Sequence, residues 1–344
     1  MKQNSNYIKL PAEWEPQSAV LLTWPHSNTD WASALDEVIL CYTAIAKEII
    51  KRERLVIVCP CIEEVKTMLG DVNYSRIIFR EFRSNDTWAR DHGPVSVLVG
   101  DNPYILDFTF NGWGLKFPAN YDNQITSQLY RSGLFGSAVG YQNMMHLVLE
   151  GGSIESDGEG ILMTTSKCLL SPNRNEYQDE AEVEYYMKRI FNIQKILWLR
   201  NGYLAGDDTD SHIDTLARFC NKETIVYVKC TDTNDEHFTE LALMEKEIKR
   251  FRTLEGKPYH LIELPMAEAV YWEGERLPAT YANFLIINDA ILMPVYNSGS
   301  DEIAKTALQK AFPDREIVGI NCLPLIKQHG SLHCVTMQFP ERFF

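Results

Sequence analysis

The chain has 344 residues, of which 45% are hydrophobic and 23% are charged, and this balance excludes general disorder. Its 33 lysines and arginines stand against 47 aspartates and glutamates, and the net charge of −14 disfavours binding to nucleic acid or to anionic membranes. No apolar run approaches the roughly 18 residues of a membrane span. A field of this sign suits a small cationic ligand.

The N-terminal segment, residues 1–7, is polar and lacks the apolar stretch of a secretion signal, so we expect a cytoplasmic protein. The eight cysteines are scattered, and several lie inside apolar runs, as Cys59 does. They are therefore expected to be reduced thiols. Cys59 and Cys61 have no partner pair at zinc spacing, so no metal is predicted there.

Helices and β-hairpins are predicted to alternate along the chain. Apolar residues at three- and four-residue spacing indicate the helices, and turn-rich dipeptides between β-branched runs indicate the hairpins. In chain order the pattern predicts a helix over 31–51, a hairpin over 93–110, a helix over 122–131, a hairpin over 152–165, a helix over 176–191, a hairpin over 215–229, a helix over 236–251, a hairpin over 283–296 and a helix over 301–312.

The hairpin units recur every ~50–70 residues, a period that favours a propeller-like or barrel-like ring. An ordinary α+β domain with several hairpins would show the same periodicity. A ring would place one polar loop per unit around a common axis. We therefore expect a single α/β domain over residues 1–344, in which loops distant in sequence meet at one central site.

Four polar loops carry the chemically unusual residues, at 85–94, 150–153, 206–214 and 328–334. Together they contain carboxylates, a histidine and a cysteine. In equivalent loops of a ring, such groups would form a thiol active site.

The loop at 206–214 ends in His212-Ile213-Asp214. In an extended segment His212 and Asp214 would face one cleft while Ile213 faces the core. From the residues alone, a solvated surface loop is the favoured alternative. A metal site is a third interpretation, but no other cluster in the sequence has the spacing to complete a ligand shell.

Cys334 differs from the other cysteines because it follows a His-Gly-Ser turn. Adjacent residues of a strand face opposite sides, so if Cys334 faces the cleft then His333 faces away. His212 is then the better candidate for its base. The alternative is a buried thiol, which is the commoner role of a lone cysteine in an apolar strand.

Each of the remaining candidate residues has two possible roles. Glu150 precedes two glycines and is either an incidental turn residue or a carboxylate that orients and charges His212. Asp91 is either a helix cap or the partner of the neighbouring arginine. Trp88 and Trp113 either belong to the core or wall a slot for a planar cation.

In combination, the four loops resemble those of the agmatine deiminase family, within the guanidino-modifying superfamily that includes arginine deiminases and bacterial-type peptidylarginine deiminases. The resemblance extends from Pro11 to Thr336. It implies a pentein-type fold, a five-bladed α/β propeller with pseudo-fivefold symmetry. The motifs that carry it are Asn-Asp-Thr-Trp-Ala-Arg-Asp at 85–91, Glu-Gly-Gly-Ser at 150–153, Gly-Asp-Asp-Thr-Asp-x-His-x-Asp at 206–214 and His-Cys at 333–334.

The resemblance also implies roles for the candidate residues. Cys334 matches the nucleophile, His212 the general acid and base, and Glu150 its carboxylate partner. Asp91 and Asp214 match the carboxylates that hold the guanidinium. Trp88 lines the pocket by the same resemblance, and Trp113 is retained as a second wall on its aromatic character.

The implied reaction converts agmatine to N-carbamoylputrescine and ammonia through a thiouronium on Cys334, in putrescine and polyamine biosynthesis, without metal or cofactor. Arginine or peptidylarginine deiminase, amidinotransferase, a non-catalytic guanidine binder and a metal-dependent hydrolase are the alternatives. A homodimer is expected, without an assigned interface. The sequence departs from the family pattern at 328–332, at His92 and at Ser211, next to the site loops.

Overall fold

The computed structural model describes residues 7–344, so the segment on which the absence of a secretion signal was predicted lies almost wholly outside the described residues. The described chain has a mixed α/β fold. Its strands β1 to β19 run over Ile8–Lys9, Gln17–Thr23, Arg54–Cys59, Ile77–Glu81, Val95–Val99, Asn102–Thr109, Gly140–Val148, Ile154–Ser156, Ile161–Thr165, Lys195–Leu199, Ala217–Asn221, Thr224–Lys229, His260–Pro265, Tyr271–Trp272, Glu275–Arg276, Leu285–Ile287, Ala290–Val295, Glu316–Asn321 and Thr336–Pro340.

Helices connect these strands. The α-helices α1 to α10 run over Leu35–Arg52, Ile62–Leu69, Ala89–His92, Gly112–Leu115, Ile125–Arg131, Ser166–Leu169, Glu180–Phe191, Phe238–Ile248, Asp301–Ala311 and Leu323–Ile326. Short 3₁₀ helices run over Asp30–Ala34, Tyr74–Arg76, Asp122–Gln124, Gly151–Ser153 and Ile213–Thr215. No helix within residues 7–344 is long and apolar enough to cross a membrane.

Five of the sheets share one arrangement, in which an antiparallel pair is extended by a third, parallel strand. A parallel neighbour needs a crossover connection, and helices supply it here. The five sets are β5-β6-β7, β8-β9-β10, β11-β12-β13, β16-β17-β18 and β19-β2-β3.

Four of these antiparallel pairs are the hairpins expected from the sequence. The fifth is different because it joins β19, near the C-terminus, to β2, near the N-terminus, with Thr336 opposite Leu22. A local turn signal cannot predict this pairing, because the two strands are at opposite ends of the chain.

The helices differ from the sequence expectation mainly at their starts. The pattern over 31–51 begins as a 3₁₀ turn and continues as α1. The pattern over 176–191 becomes helical only at Glu180, because the Asp179 side chain accepts a hydrogen bond from the backbone N–H of Glu182 at 2.9 Å. This contact satisfies one of the free donors of the first turn and fixes the helix start there.

Three short helical turns bring the polar loops together. Helix α3 packs against the 3₁₀ helix Gly151–Ser153, which in turn packs against the 3₁₀ helix Ile213–Thr215. Each turn lies next to an antiparallel pair, before β5, β8 and β11 respectively. The loops at 85–94, 150–153 and 206–214 therefore meet in the interior.

Candidate active site

Side chains from the loops meet around Gly152. A Cβ atom placed on Gly152 would lie 2.6 Å from Nδ1 of His212, 2.8 Å from Oδ1 of Asp91 and 3.2 Å from Oδ2 of Asp214. Only glycine leaves room for these three polar atoms to approach the same stretch of backbone. The structure thus brings His212, Asp91 and Asp214 to one point.

Cys334 lies beside this point. Its Sγ is 3.9 Å from Oδ2 of Asp214 and 3.4 Å from Oδ1 of Asn283. The residue is 5% exposed and lines a cavity of about 280 Å³ together with Asp91, Trp88 and Trp113.

The expectation that Cys334 lies in a strand was wrong. Residues 332–335 form a turn, and β19 begins only at Thr336. The argument from strand alternation therefore does not apply to His333. Its side chain instead contacts Asp214, with Nδ1 2.7 Å from Oδ2 of the carboxylate.

The expectation that 212–214 is extended was also wrong in part. His212 has extended backbone angles, but Ile213–Thr215 forms a 3₁₀ turn. Ile213 is fully buried in the core cluster. His212 and Asp214 nevertheless both lie next to the point where a Cβ on Gly152 would be, because the tight turn directs both side chains inward.

Asp91 is held by neutral donors. Its Oδ2 accepts a hydrogen bond from Nε1 of Trp113 at 3.0 Å, and its Oδ1 accepts one from the backbone N–H of Gly152 at 3.0 Å. It therefore neither caps a helix nor pairs with Arg90, the two roles considered from the sequence. Burial raises the pKa of Asp91 to about 6, although His212 opposes the rise.

Asp214 is held differently. Burial would raise its pKa, but His333 and His212 lower the pKa below the ordinary value of an aspartate. In the described structure its Oδ1 has no hydrogen-bond partner. The pKa values of the two aspartates therefore shift in opposite directions, up for Asp91 and down for Asp214. Asp214 is the more readily ionised of the two.

His212 lies between two carboxylates. Its Nε2 is 3.4 Å from Oε2 of Glu150, and its Nδ1 is 3.7 Å from Oδ1 of Asp91. Burial would lower the pKa of His212, but Asp91, Cys168 and Glu150 together raise the pKa well above its ordinary value. An imidazolium in this position can donate a proton to a departing group.

Glu150 depends on an arginine that the sequence analysis missed. Nε of Arg174 lies 2.9 Å from Oε1 and 2.8 Å from Oε2 of Glu150. Burial would raise the pKa of Glu150, but His212 and Arg174 lower it, so the carboxylate stays ionised beside the imidazole. Arg174 lies in a turn after a proline, where no periodic pattern marks it.

Asn283 is a second missed residue. Its Oδ1 accepts hydrogen bonds from the backbone N–H groups of His333 at 2.9 Å and Cys334 at 3.3 Å. It therefore fixes the turn that carries the thiol. An amide that is fully buried within an apolar segment was the available signal.

The donors of Glu150, Cys168 and His212 all lie within 4.8 Å of one another, as metal ligands do. A resident cation fits this set poorly, because the guanidinium of Arg174 already contacts both oxygens of Glu150. The Asp-rich loop offers no better set. Asp207 accepts from Thr209 and Ser211, and Asp210 pairs with Lys116 and Arg174.

The segment 328–332, which departs from the family pattern, contributes to the cavity wall. Gln328, His329 and Gly330 line the cavity. A Cβ on Gly330 would lie 2.1 Å from the ring of Trp88, so glycine lets this segment pack on the indole. His92, the second departure, is buried behind the site, with Nε2 3.3 Å from Oγ1 of Thr23.

This fold and this site define a family of guanidino-group enzymes. The chain belongs to the Porphyromonas-type peptidyl-arginine deiminase family, whose profile matches residues 9–340. The family resemblance expected from the motifs is thereby confirmed.

Individual relatives have related names. A protein of Marinomonas sp. named "putative agmatine deiminase" is 30% identical, over 97% of this chain and 95% of its own. The crystal structure of a "putative arginine deiminase" from Porphyromonas gingivalis is 52% identical, with a TM-score of 0.94 over 98% of this chain and 99% of that one. A C. jejuni agmatine deiminase with substrate bound is 35% identical, with a TM-score of 0.93 over 100% of this chain and 99% of that one.

Proposed function

We propose that the protein is an agmatine deiminase, which hydrolyses the guanidinium of agmatine to N-carbamoylputrescine and ammonia. The observation that carries the proposal is the meeting of His212, Asp91 and Asp214 around Gly152, with Cys334 beside Asp214. Cys334 and Asp91 both line the cavity. The names of the relatives in Marinomonas sp. and C. jejuni support the same reaction.

The two aspartates suit a guanidinium. This group is planar and stays protonated at physiological pH, so its central carbon is a poor electrophile until it is fixed and polarised. Asp91 and Asp214 would accept charge-assisted hydrogen bonds from its N–H groups and hold the carbon beside Cys334. Trp88 and Trp113 would line the slot through which the planar group enters.

With the substrate bound, Cys334 gives its proton to solvent, and the thiolate attacks the guanidino carbon to give a neutral tetrahedral adduct. His212 donates a proton to the departing nitrogen, ammonia leaves, and a planar thiouronium stays on Cys334. Neutral His212 then takes a proton from water, the resulting hydroxide adds to the same carbon, and the C–S bond breaks. The ureido product leaves, and the thiol and the imidazolium are restored.

The thiol is poorly ionised before substrate binds. Burial raises the pKa of Cys334 well above its ordinary value, and the carboxylates of Asp214 and Asp91 raise it further. A bound guanidinium would place positive charge beside these groups and favour the thiolate. The nucleophile would thus form mainly when the substrate is present.

The cavity wall supports agmatine as the substrate. Carboxylates line it, and no lysine or arginine of the described chain is among its lining residues. The α-carboxylate of arginine would find no lysine or arginine in this wall, whereas the ammonium of agmatine would find carboxylates. Besides Asp91, the carboxylates of this wall are those of Asp30, Asp86 and Asp208.

We expect kcat/KM for agmatine to exceed that for free arginine by at least about 100-fold, a difference of roughly 3 kcal/mol. In Asp208→Asn, KM for agmatine should rise by about tenfold while the slow turnover of arginine is unchanged. Ammonia release from agmatine, arginine and an arginyl peptide measures both effects. Asp71→Asn, at an exposed position away from the cavity, is the matched control. Preference for arginine or for the peptide would overturn the substrate assignment.

The pKa of Asp91 predicts an acid limit to activity. The pKa lies at about 6, and only the ionised carboxylate attracts the guanidinium. We therefore expect kcat/KM for agmatine to be constant above this value and to fall about tenfold per pH unit below it. A pH profile of initial rates measures the limit. Full activity at pH 5 would show that an ionised Asp91 is not required.

The finer architecture is also part of the proposal. The five sheets with one strand order would form the blades of a pseudo-fivefold propeller over a single domain, residues 1–344, with the pairing of β19 and β2 supporting closure of the ring. A cytoplasmic location and a homodimer agree with a small-molecule enzyme, and cell fractionation and sedimentation would test them.

A further inference from the structure

His333, next to the proposed nucleophile, lies between two carboxylates. Its Nδ1 is 2.7 Å from Oδ2 of Asp214, and its Nε2 is 2.8 Å from Oε2 of Glu13. All three side chains are buried, and His333 is 1% exposed. The reaction steps above use neither His333 nor Glu13, although both are linked to an aspartate that would hold the substrate.

The two contacts determine the charge of His333. An ionised carboxylate only accepts hydrogen bonds, so each contact needs an N–H from the ring. A neutral imidazole carries only one N–H, whereas an imidazolium carries two. The arrangement therefore requires an imidazolium, unless one of the carboxylates is protonated.

Glu13 is not the protonated group. Its Oε2 also accepts from Nη2 of Arg218 at 2.7 Å, and its Oε1 accepts from the backbone N–H of Ile286 at 2.8 Å. Burial would raise the pKa of Glu13, but Arg218 and His333 lower it far below its ordinary range. Burial would likewise raise the pKa of Asp214, but the contact with His333 and the charges of His212 and Arg218 lower it below the ordinary value of an aspartate. The positive charge therefore belongs on His333.

The surroundings agree with a cationic His333. The Glu13 carboxylate is 4.0 Å from Nη2 of Arg90, and Nε of Arg218 contacts Glu155 at 2.8 Å. With His333 charged, three buried cations balance three carboxylates beneath the site, as buried ion clusters require. The charged and titratable groups that face His333 and Asp214 are Glu13, Glu155, Asp91, Arg90, Arg218, His212 and Cys334.

Asp91 and Asp214 differ in the charge of the groups that donate hydrogen bonds to them. Asp91 accepts hydrogen bonds from the neutral donors Trp113 and Gly152, and burial raises its pKa to about 6. Asp214 accepts its hydrogen bonds on Oδ2, and one of the donors is the charged ring of His333. Its Oδ1 is buried and has no hydrogen-bond partner in the described structure.

We propose that His333 is a positioning residue, held in its cationic form by Glu13, that keeps Asp214 ionised and leaves one of its oxygens to receive the substrate guanidinium. The proposal rests on the proposed function for the identity of the ligand. The two contacts of His333 support its positive charge, which is tested separately from agmatine binding.

The test compares agmatine binding in two proteins that cannot turn it over, Cys334→Ala and Cys334→Ala with His333→Asn. Calorimetry gives Kd between pH 5 and pH 9. Asparagine can donate one neutral hydrogen bond to Asp214 but supplies no charge. We expect the acid midpoint of binding to move up by about two pH units, so that agmatine binds about tenfold more weakly at pH 7 and nearly normally at pH 9.

An unchanged midpoint would show that His333 does not set the ionisation of Asp214. Equal weakening at every pH would show a packing role only, and it would also overturn the proposal. His260→Asn in the same background is the control, since His260 is exposed and lies outside the site.

A second measurement does not depend on any variant or on agmatine. In protein labelled with ¹⁵N in its histidines, NMR of the folded protein should show a proton on both ring nitrogens of His333, as the two carboxylate contacts require. A neutral ring at pH 7 would overturn the proposal. If agmatine does not bind at all while His333 is cationic, the proposed function fails and the charge assignment stands.

Discussion

Cys334→Ala should abolish agmatine turnover, with kcat lowered by at least about 10⁴-fold, while agmatine still binds. The thiol forms the covalent bond in the proposed reaction, and no other cysteine lines the cavity among residues 7–344. Binding should persist because Asp91 and Asp214 are left in place. Ammonia release measures turnover, and calorimetry measures binding.

The fold should tolerate this substitution. The sulfur of Cys334 makes polar contacts with Asn283 and Asp214, and alanine leaves the backbone contacts of the turn intact. The melting temperature should therefore change by only a few degrees. Cys61→Ala is the control, because Cys61 is partly exposed and distant from Cys334 in the sequence. It should retain full activity. Retention of even a tenth of the activity by Cys334→Ala would end the proposed mechanism.

His212→Gln should lower kcat for agmatine by at least about 10³-fold with little change in Kd. His212 transfers a proton in both halves of the reaction. It first gives one to the departing nitrogen and then takes one from water, and glutamine can do neither. Its amide can still donate a hydrogen bond to Glu150, so the loop should keep its position. Steady-state rates and calorimetry separate the two effects.

The matched control is His146→Gln, because His146 is exposed on β7 and away from the cavity. Its rates should equal those of the unsubstituted protein. If His212→Gln instead weakened binding as strongly as it slowed turnover, His212 would act mainly in holding the substrate. The assignment of the general acid and base would then be wrong.

The local elements of the fold were predictable because their signals are local. Hairpin turns and apolar spacing indicated four antiparallel pairs and five helical segments, and the structure contains them. Such local signals could not predict the pairing of β19 with β2. It joins Thr336 to Leu22 and is determined by how the whole chain packs.

The site residues were predictable as residue types in polar loops, but their conformations were not. The sequence indicated Asp214 and His212 through an extended segment, and the structure places both through a 3₁₀ turn. It indicated that His333 faces away from the site, whereas the tight turn at 332–335 brings the ring onto Asp214. Strand alternation is a poor guide where the backbone turns.

The supporting residues were missed because their partners are distant in sequence. Arg174 contacts Glu150 from 24 positions away, and Asn283 contacts Cys334 from 51 positions away. Neither residue belongs to a short motif. Buried polar groups must find partners, but the sequence alone does not say which partner each one finds.

The most direct test of the account is the mass of the protein after rapid acid quench during turnover of agmatine, followed by peptide mapping. The account predicts an adduct with the mass of agmatine less ammonia, attached to the peptide that contains Cys334, and no adduct in Cys334→Ala. Agmatine turnover without any adduct on this peptide, or an adduct on another cysteine, would contradict it.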